Sequence, residues 1–252
     1  FDGVDVTEMP VTENEIRESA ALVSDELKKA IQQAAANVTL FHEKQVSGVE
    51  LIETMPGVQC WRKSIGIEKV GLYIPGGTAP LFSTILMLGI PARIAGCKEI
   101  VLCSPPDKKG KLHPAIIYAA QLVGVTKICK IGGVQAIAAM AYGTASVPQV
   151  SKIFGPGNQY VTCAKQLIQQ DGIAIDMPAG PSEVCVLADE TANPSFVAAD
   201  LLSQAEHGVD SQVLLVTTNE LLVTQVQEEL QKQLALLPRK NIAGKALENS
   251  LA

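Results

Sequence analysis

Hydrophobic and polar positions along this chain follow first a helical period and then a repeating alternation. Ala20, Val23, Leu27, Ala30, Ile31 and Ala34 recur at helical spacing. Thr12-x-x-Glu15 upstream of them reads as a capping box, so the pattern predicts one long amphipathic helix to about Lys44. Two short runs, Val49 to Thr54 and Val58 to Ile67, are split by Pro56-Gly57 and read as a β-hairpin. From Val70 onward the rhythm becomes strand, turn, helix, repeated. Strands are expected at Val70–Ile74, Glu99–Cys103, Lys127–Ile131, Lys152–Phe154, Ile173–Asp176, Glu183–Ala188 and Gln212–Thr217. Helices are expected near Leu81–Ala95, up to Leu122, through Tyr142, up to Gln169, over Pro194 to about Glu206 and over Glu220–Leu236, with a short one near the end. This alternation implies an α/β fold with parallel strands and right-handed crossovers. No fixed-period repeat or low-complexity linker interrupts it.

Composition sharpens this picture. Across 252 residues, 47% are apolar but only 4% aromatic, which suits a core of Val, Ile, Leu and Ala. The net charge is −6, with no stretch that concentrates Lys and Arg, so nucleic acid and anionic membrane surfaces are not expected partners. The longest apolar stretch, Ala79 to Gly96, is broken by Pro80, Ser83, Pro91 and Arg93 and falls short of the roughly 20 clean residues that a membrane span needs. No basic, apolar signal segment opens the chain at Phe1. The six cysteines stand far apart without a C-x-x-C, which fits free thiols in a reducing cytoplasm.

Ligands of a parallel sheet gather where strand ends feed helix N-termini. Three such junctions are glycine-rich: Tyr73 to Gly77, Gly132 to Gln135, and Gly155 to Asn158. Glycine lets backbone approach a ligand closely, and a free helix N-terminus attracts an anion such as pyrophosphate. None of the three is G-x-G-x-x-G or a P-loop, so each alone reads as a turn; together at one sheet edge they suggest a nucleotide-sized site. Gln135 and Asn158 follow two of the turns and suit a ribose or amide.

Asp200, Gln204 and His207 stand at i, i+4 and i+7, on one face of an expected helix. Gln204 and His207 could reach one metal ion, but Gln is an unusual zinc ligand. On spacing alone, the better reading is a helix C-terminus whose histidine benefits from the dipole. His42 and His113 read as solvated surface, and Glu13, Glu15 and Glu18 as residues suited to a helix N-terminus. Glu183 is a candidate general base or simply a hydrogen-bonded carboxylate at a strand start. Cys163 and Cys185 have no neighbouring His, and no cysteine nucleophile is expected.

Several blocks together resemble the histidinol dehydrogenase family: Val70-Gly71-Leu72-Tyr73-Ile74-Pro75-Gly76-Gly77, Ile131 to Ala138, and Phe154-Gly155-Pro156-Gly157-Asn158. The most specific are Ile175-Asp176-Met177-Pro178-Ala179-Gly180-Pro181-Ser182-Glu183 and, after it, Asp200-Leu201-Leu202-Ser203-Gln204-Ala205-Glu206-His207. The resemblance implies a zinc-dependent, NAD-linked oxidoreductase of histidine biosynthesis. Such an enzyme takes L-histidinol through L-histidinal to L-histidine with two NAD. By the same resemblance, Tyr73, Gln135 and Asn158 contact the dinucleotide, Ser182, Gln204 and His207 contact substrate, and Gln204 and His207 bind zinc. This reverses the reading of Gln204 and His207 from spacing.

The family extends upstream of Phe1 and well beyond Ala252. Its catalytic Glu-His pair, the remaining zinc ligands and a further substrate glutamate are expected beyond Ala252, so no catalytic residue is assigned within this chain. The resemblance also implies a homodimer of the whole protein. Two other readings stay open: a non-catalytic NAD-binding fragment, and a relative that oxidises another polar alcohol such as a sulfonated diol. The expected architecture is two interleaved Rossmann-like lobes, 1–72 with 184–252 and 73–183, with the cofactor turns and the Gln204/His207 helix around one cleft.

Overall fold

The computed structural model describes residues 4, 6, 8–76, 80–178 and 183–251. By its internal packing the chain divides into two compact units, Phe1–Ala179 and Gly180–Ala252.

In the first unit, the capping box forms as expected. The Thr12 hydroxyl accepts from Glu15 N–H at 3.2 Å while Glu15 Oε2 accepts from Thr12 N–H at 2.9 Å, opening α1 (Glu13–Leu22). The expected single helix is in fact two. Val23 turns extended with its side chain buried in the core, and Ser24 caps a new N-terminus by accepting from Leu27 N–H at 3.2 Å, so α2 spans Asp25–Glu43. A cap of this kind stabilises a helix by about 1 kcal/mol, enough to make the break local and definite. The hairpin β1 (Leu51–Met55) and β2 (Val58–Trp61) pairs antiparallel around Pro56-Gly57, and its residues are exposed.

Next come β3 (Lys69–Tyr73), α3 (Phe82–Ile94), β4 (Glu99–Ser104), α4 (Pro114–Val123), β5 (Lys127–Lys130), α5 (Gly133–Tyr142), β6 (Lys152–Phe154), α6 (Gln159–Gln169) and β7 (Ala174–Ile175). The five strands form one parallel sheet in the order β5-β4-β3-β6-β7. Alternate residues face opposite layers. Leu72, Ile100 and Leu102 pack with α3 and α4, whereas Val101, Cys103, Cys129 and Ile153 pack with α5 and α6. Burying each large aliphatic side chain contributes about 1.5–3 kcal/mol, so a sheet covered on both faces carries most of the unit's stability. Helix α1 packs on α4 and α2 on α3. The segment 1–72, expected from the sequence to join 184–252, therefore lies within the first unit: its helices pack on α3 and α4, and β3 is the central strand.

The short stretch before α1 runs antiparallel along the outer side of β5. Pro10 bridges to Cys129, Val11 N–H donates to the Ile128 carbonyl at 2.9 Å, and Lys130 N–H donates to the Met9 carbonyl at 2.8 Å. A partly buried ion pair, Lys130 Nζ to Glu15 at 3.1 Å, secures the same junction. Burial disfavours ionisation of Glu15, but the Thr12 N–H and the Lys130 ammonium outweigh it and hold the carboxyl below its ordinary value.

The second unit contains β8 (Glu183–Ala188), α7 (Pro194–Ala205), β9 (Gln212–Thr217), α8 (Glu220–Leu236) and α9 (Lys240–Glu248). Strands β8 and β9 are parallel and in register from Glu183/Gln212 to Ala188/Thr217, joined by α7 as the crossover. Val197, Ala198, Leu201, Leu202, Val213, Leu215, Leu222 and Val226 form its core. Asn193 and Asn219 cap α7 and α8. No helix among the described residues is long and apolar enough to cross a membrane.

Candidate functional site

Counted within the five-stranded sheet alone, the strand order is 3-2-1-4-5, and it reverses between β3 and β6. Crossovers leave β3 and β6 to opposite sides, so a crevice opens beyond their carboxyl ends. A cavity of about 890 Å³ lies there, lined by the segments that follow β3, β4, β5 and β6. Two glycines shape its rim through close approach. Gly132 leaves no room for a side chain, since a Cβ would stand 2.4 Å from Pro105 Cβ. Gly155, at φ +131°, passes so close to the end of β3 that a Cβ would lie 2.0 Å from the Tyr73 carbonyl oxygen.

Tyr73, Gln135 and Asn158 all line this cavity. The structure thus brings together three residues that are far apart in the chain. Tyr73 is buried and its hydroxyl accepts from Gly133 N–H at 3.0 Å, tying the end of β3 to the start of α5. Asn158 caps α6: its Oδ1 accepts from the N–H groups of Tyr160 and Val161, both at 3.1 Å, which leaves its amide NH₂ to donate outward. Gln135 stands in the first turn of α5 with its carboxamide against Gly133.

Sequence reasoning missed the other walls. His113, expected to be plain surface, caps α4 through Nδ1, which accepts from Ala115 N–H at 3.2 Å, and it lines the cavity. Asp107 Oδ1 accepts from Lys109 and Lys111 N–H at 2.8 and 2.9 Å, folding the loop after β4 so that Asp107 and Lys111 border the same space. Tyr160 presents an exposed ring beside Asn158. The signal for all of these was the strand order, because residues following neighbouring strands of a parallel sheet share one edge.

In the second unit, α7 ends at Ala205. Asp200 and Gln204 lie on it, but His207 stands beyond it, in a turn closed by its own N–H donating to the Gln204 carbonyl at 3.1 Å. The expected shared helix face therefore stops short of His207. Gln204 Nε2 is buried without a hydrogen-bond partner among the described residues, and His207 is exposed. Glu183 is exposed at the start of β8. Ser182 lies outside the described residues. No group of three or more His, Cys, Asp or Glu among the described residues is placed to hold a metal ion.

The family model for histidinol dehydrogenase matches residues 1–252. The chain belongs to the histidinol dehydrogenase family. It is 67% identical over 250 residues to histidinol dehydrogenase of Bacteroides thetaiotaomicron, covering 99% of this chain and 58% of that protein. It is also 58% identical to the crystal structure of histidinol dehydrogenase from Elizabethkingia anophelis, with a TM-score of 0.96 over 100% of this chain and 58% of that one. Propionaldehyde dehydrogenase of Rhodopseudomonas palustris, at 14% identity and a TM-score of 0.51 over 86% of this chain and 51% of that one, shares the fold alone. The chain thus spans a little more than half the length of the family members it matches.

Proposed function

We propose that this chain carries the dinucleotide-binding part of an oxidoreductase of histidine biosynthesis, one that converts L-histidinol through L-histidinal to L-histidine while reducing two NAD. The observation that carries the reading is the single cavity at the sheet's reversal point, where Tyr73, Gln135 and Asn158 meet; membership of the family supports the substrate. A bound NAD would supply the hydride acceptor. The chain's own residues fit such a ligand: Gly132 and Gly155 let the turns pack closely on Pro105 and the end of β3, and the positive ends of α5 and α6 border the cavity. Asn158 offers a fixed NH₂ donor, and the Tyr73 ring is locked between β3 and α5.

Zinc fits this chain only in part. Gln204 and His207 are the proposed ligands; Gln204 would ligate through its carbonyl oxygen, and its buried Nε2, without a partner among the described residues, would be left to donate to another group. Zinc takes four ligands, so the rest of the set would come from elsewhere in the whole protein. There the metal would act as a template that holds the substrate's imidazole and amino group. Ser182, Gln204 and His207 are the proposed substrate contacts. The whole protein is proposed to act in the cytoplasm as a homodimer, a contact for which the exposed apolar hairpin β1–β2 offers surface.

Calorimetric titration of NAD into the purified chain tests the site. Saturable binding is expected, weakened by about tenfold in Asn158→Ala, equivalent to about 1.4 kcal/mol. Affinity unchanged by that substitution would overturn the assignment. For the whole protein, turnover of L-histidinol with NAD and zinc is the check; oxidation of a sulfonated diol in its place would redirect the substrate reading.

A further inference from the structure

Behind the turn that joins β6 to α6 lies a pair of charges with no part in the dinucleotide reading so far. Lys165, on α6, has a side chain only 3% exposed. Its ammonium donates to the Gly155 carbonyl at 2.8 Å and to Asp176 Oδ1. The other oxygen of that carboxylate, Asp176 Oδ2, accepts the Gly155 N–H at 2.7 Å. Both backbone polar groups of one buried glycine are therefore held by a single ion pair.

The chain needs this device. The ladder between β6 and β7 ends as Asp176 N–H donates to the Ile153 carbonyl at 3.2 Å, and β6 itself ends at Phe154. Gly155 lies just past the ladder and is buried, so its N–H and C=O require other partners. An apolar pair of the same volume would leave both unsatisfied. Gly155 must also hold φ +131° against the Tyr73 carbonyl, and any relaxation would swing Pro156, Gly157 and Asn158 together.

We propose that Lys165 and Asp176 are positioning residues for the dinucleotide. They lock Gly155 so that the Asn158 amide and the start of α6 are presented at the cavity rim. This rests on the reading of that cavity as the NAD site. A merely structural pair would lower stability in Lys165→Met without any specific link to Asn158.

The test is a double-mutant cycle on NAD affinity, measured by calorimetry with the purified chain, together with amide hydrogen exchange at Gly155. Lys165→Met is expected to weaken NAD binding by about tenfold, about 1.4 kcal/mol, and to speed exchange at Gly155. Adding it to Asn158→Ala should cost little more than the larger single effect, because both act through one turn. Asp176→Asn keeps an oxygen for the Gly155 N–H and should fall between Lys165→Met and the parent. It also carries the test if Lys165→Met does not fold. A folded variant with undiminished affinity, losses that multiply in the double variant, or fast exchange at Gly155 in the parent chain would each overturn the positioning role. Absence of NAD binding by the parent chain would instead overturn the cavity reading, and this proposal with it.

Discussion

The rim of the large cavity and the end of α7 are both built from helix termini and polar side chains, yet they are in opposite states. At the rim, the groups that shape the turns are tied down: the Tyr73 hydroxyl accepts from Gly133, Asn158 caps α6, and Gly155 is gripped by Lys165 and Asp176. At α7, Gln204 keeps a buried nitrogen without a partner among the described residues and His207 stands exposed beyond the helix. An unsatisfied buried amide costs about 1–3 kcal/mol. At the rim, the described groups that shape the turns meet such demands within the first unit. At the end of α7 the Gln204 nitrogen has no such partner among the described residues.

Substitutions can break or sharpen this contrast. The largest effect is expected for Gly155→Ala. Its Cβ would collide with the Tyr73 carbonyl from a backbone conformation that side chains resist, so a loss of about 3 kcal/mol in urea unfolding is expected. NAD binding should be lost with it. Next is Glu15→Gln, which leaves Lys130 buried without its counter-charge. The cost should be about 2 kcal/mol, less than for a fully buried pair because the Glu15 side chain is 18% exposed.

The same pair sets a pH dependence. Glu15 is held below its ordinary value in the folded chain, so its contribution is complete above the unfolded value of about 4.3. That contribution drains away as pH falls through the lower folded value. Urea unfolding followed from neutral to acid pH should show a shallower decline in Glu15→Gln than in the parent. Asn158→Ala, which removes a cap, should cost about 1 kcal/mol of stability. The smallest effect has the opposite sign. Gln204→Leu in this chain should raise stability by up to about 1 kcal/mol, because Nε2 has no hydrogen bond to lose among the described residues and an unsatisfied donor disappears. A loss of stability there would show that Gln204 is satisfied within its own unit and erase the contrast. In the whole protein, His207→Ala should abolish zinc-dependent turnover while NAD binding persists, as read by parallel activity and calorimetric assays.

Much of this was legible in the residues. Strand and helix limits follow from local patterns, and the glycine turns marked the sheet edge because each sits where a strand must hand over to a helix. What escaped depends on partners distant in sequence or on one-residue competition. The break at Val23 and Ser24 was hidden because Val23 also fits the helical stripe; a buried side chain and a cap decided against continuity. His207 was placed on the helix face by counting, but α7 ends two residues earlier. His113 seemed to belong to a charged loop, and only the strand order brings that loop to the cavity. The grip of Lys165 and Asp176 on Gly155 has no sequence signature, since nothing in a pattern of apolar spacings says which lysine will be buried.

The segment ahead of α1 bears on how the chain avoids its own copies. A parallel sheet whose outermost strand is β5 would offer a row of unpaired main-chain groups to any extended segment nearby, a known route to fibrillar association. Met9 and Val11 take up two of those groups, the Lys130 N–H and the Ile128 carbonyl, and between them stands Pro10, a residue with no N–H to turn outward. The seam is thereby finished with a selvedge that offers no donor at Pro10. A shortened chain starting at Thr12 should aggregate on standing far sooner than the parent, even where its cavity still binds NAD.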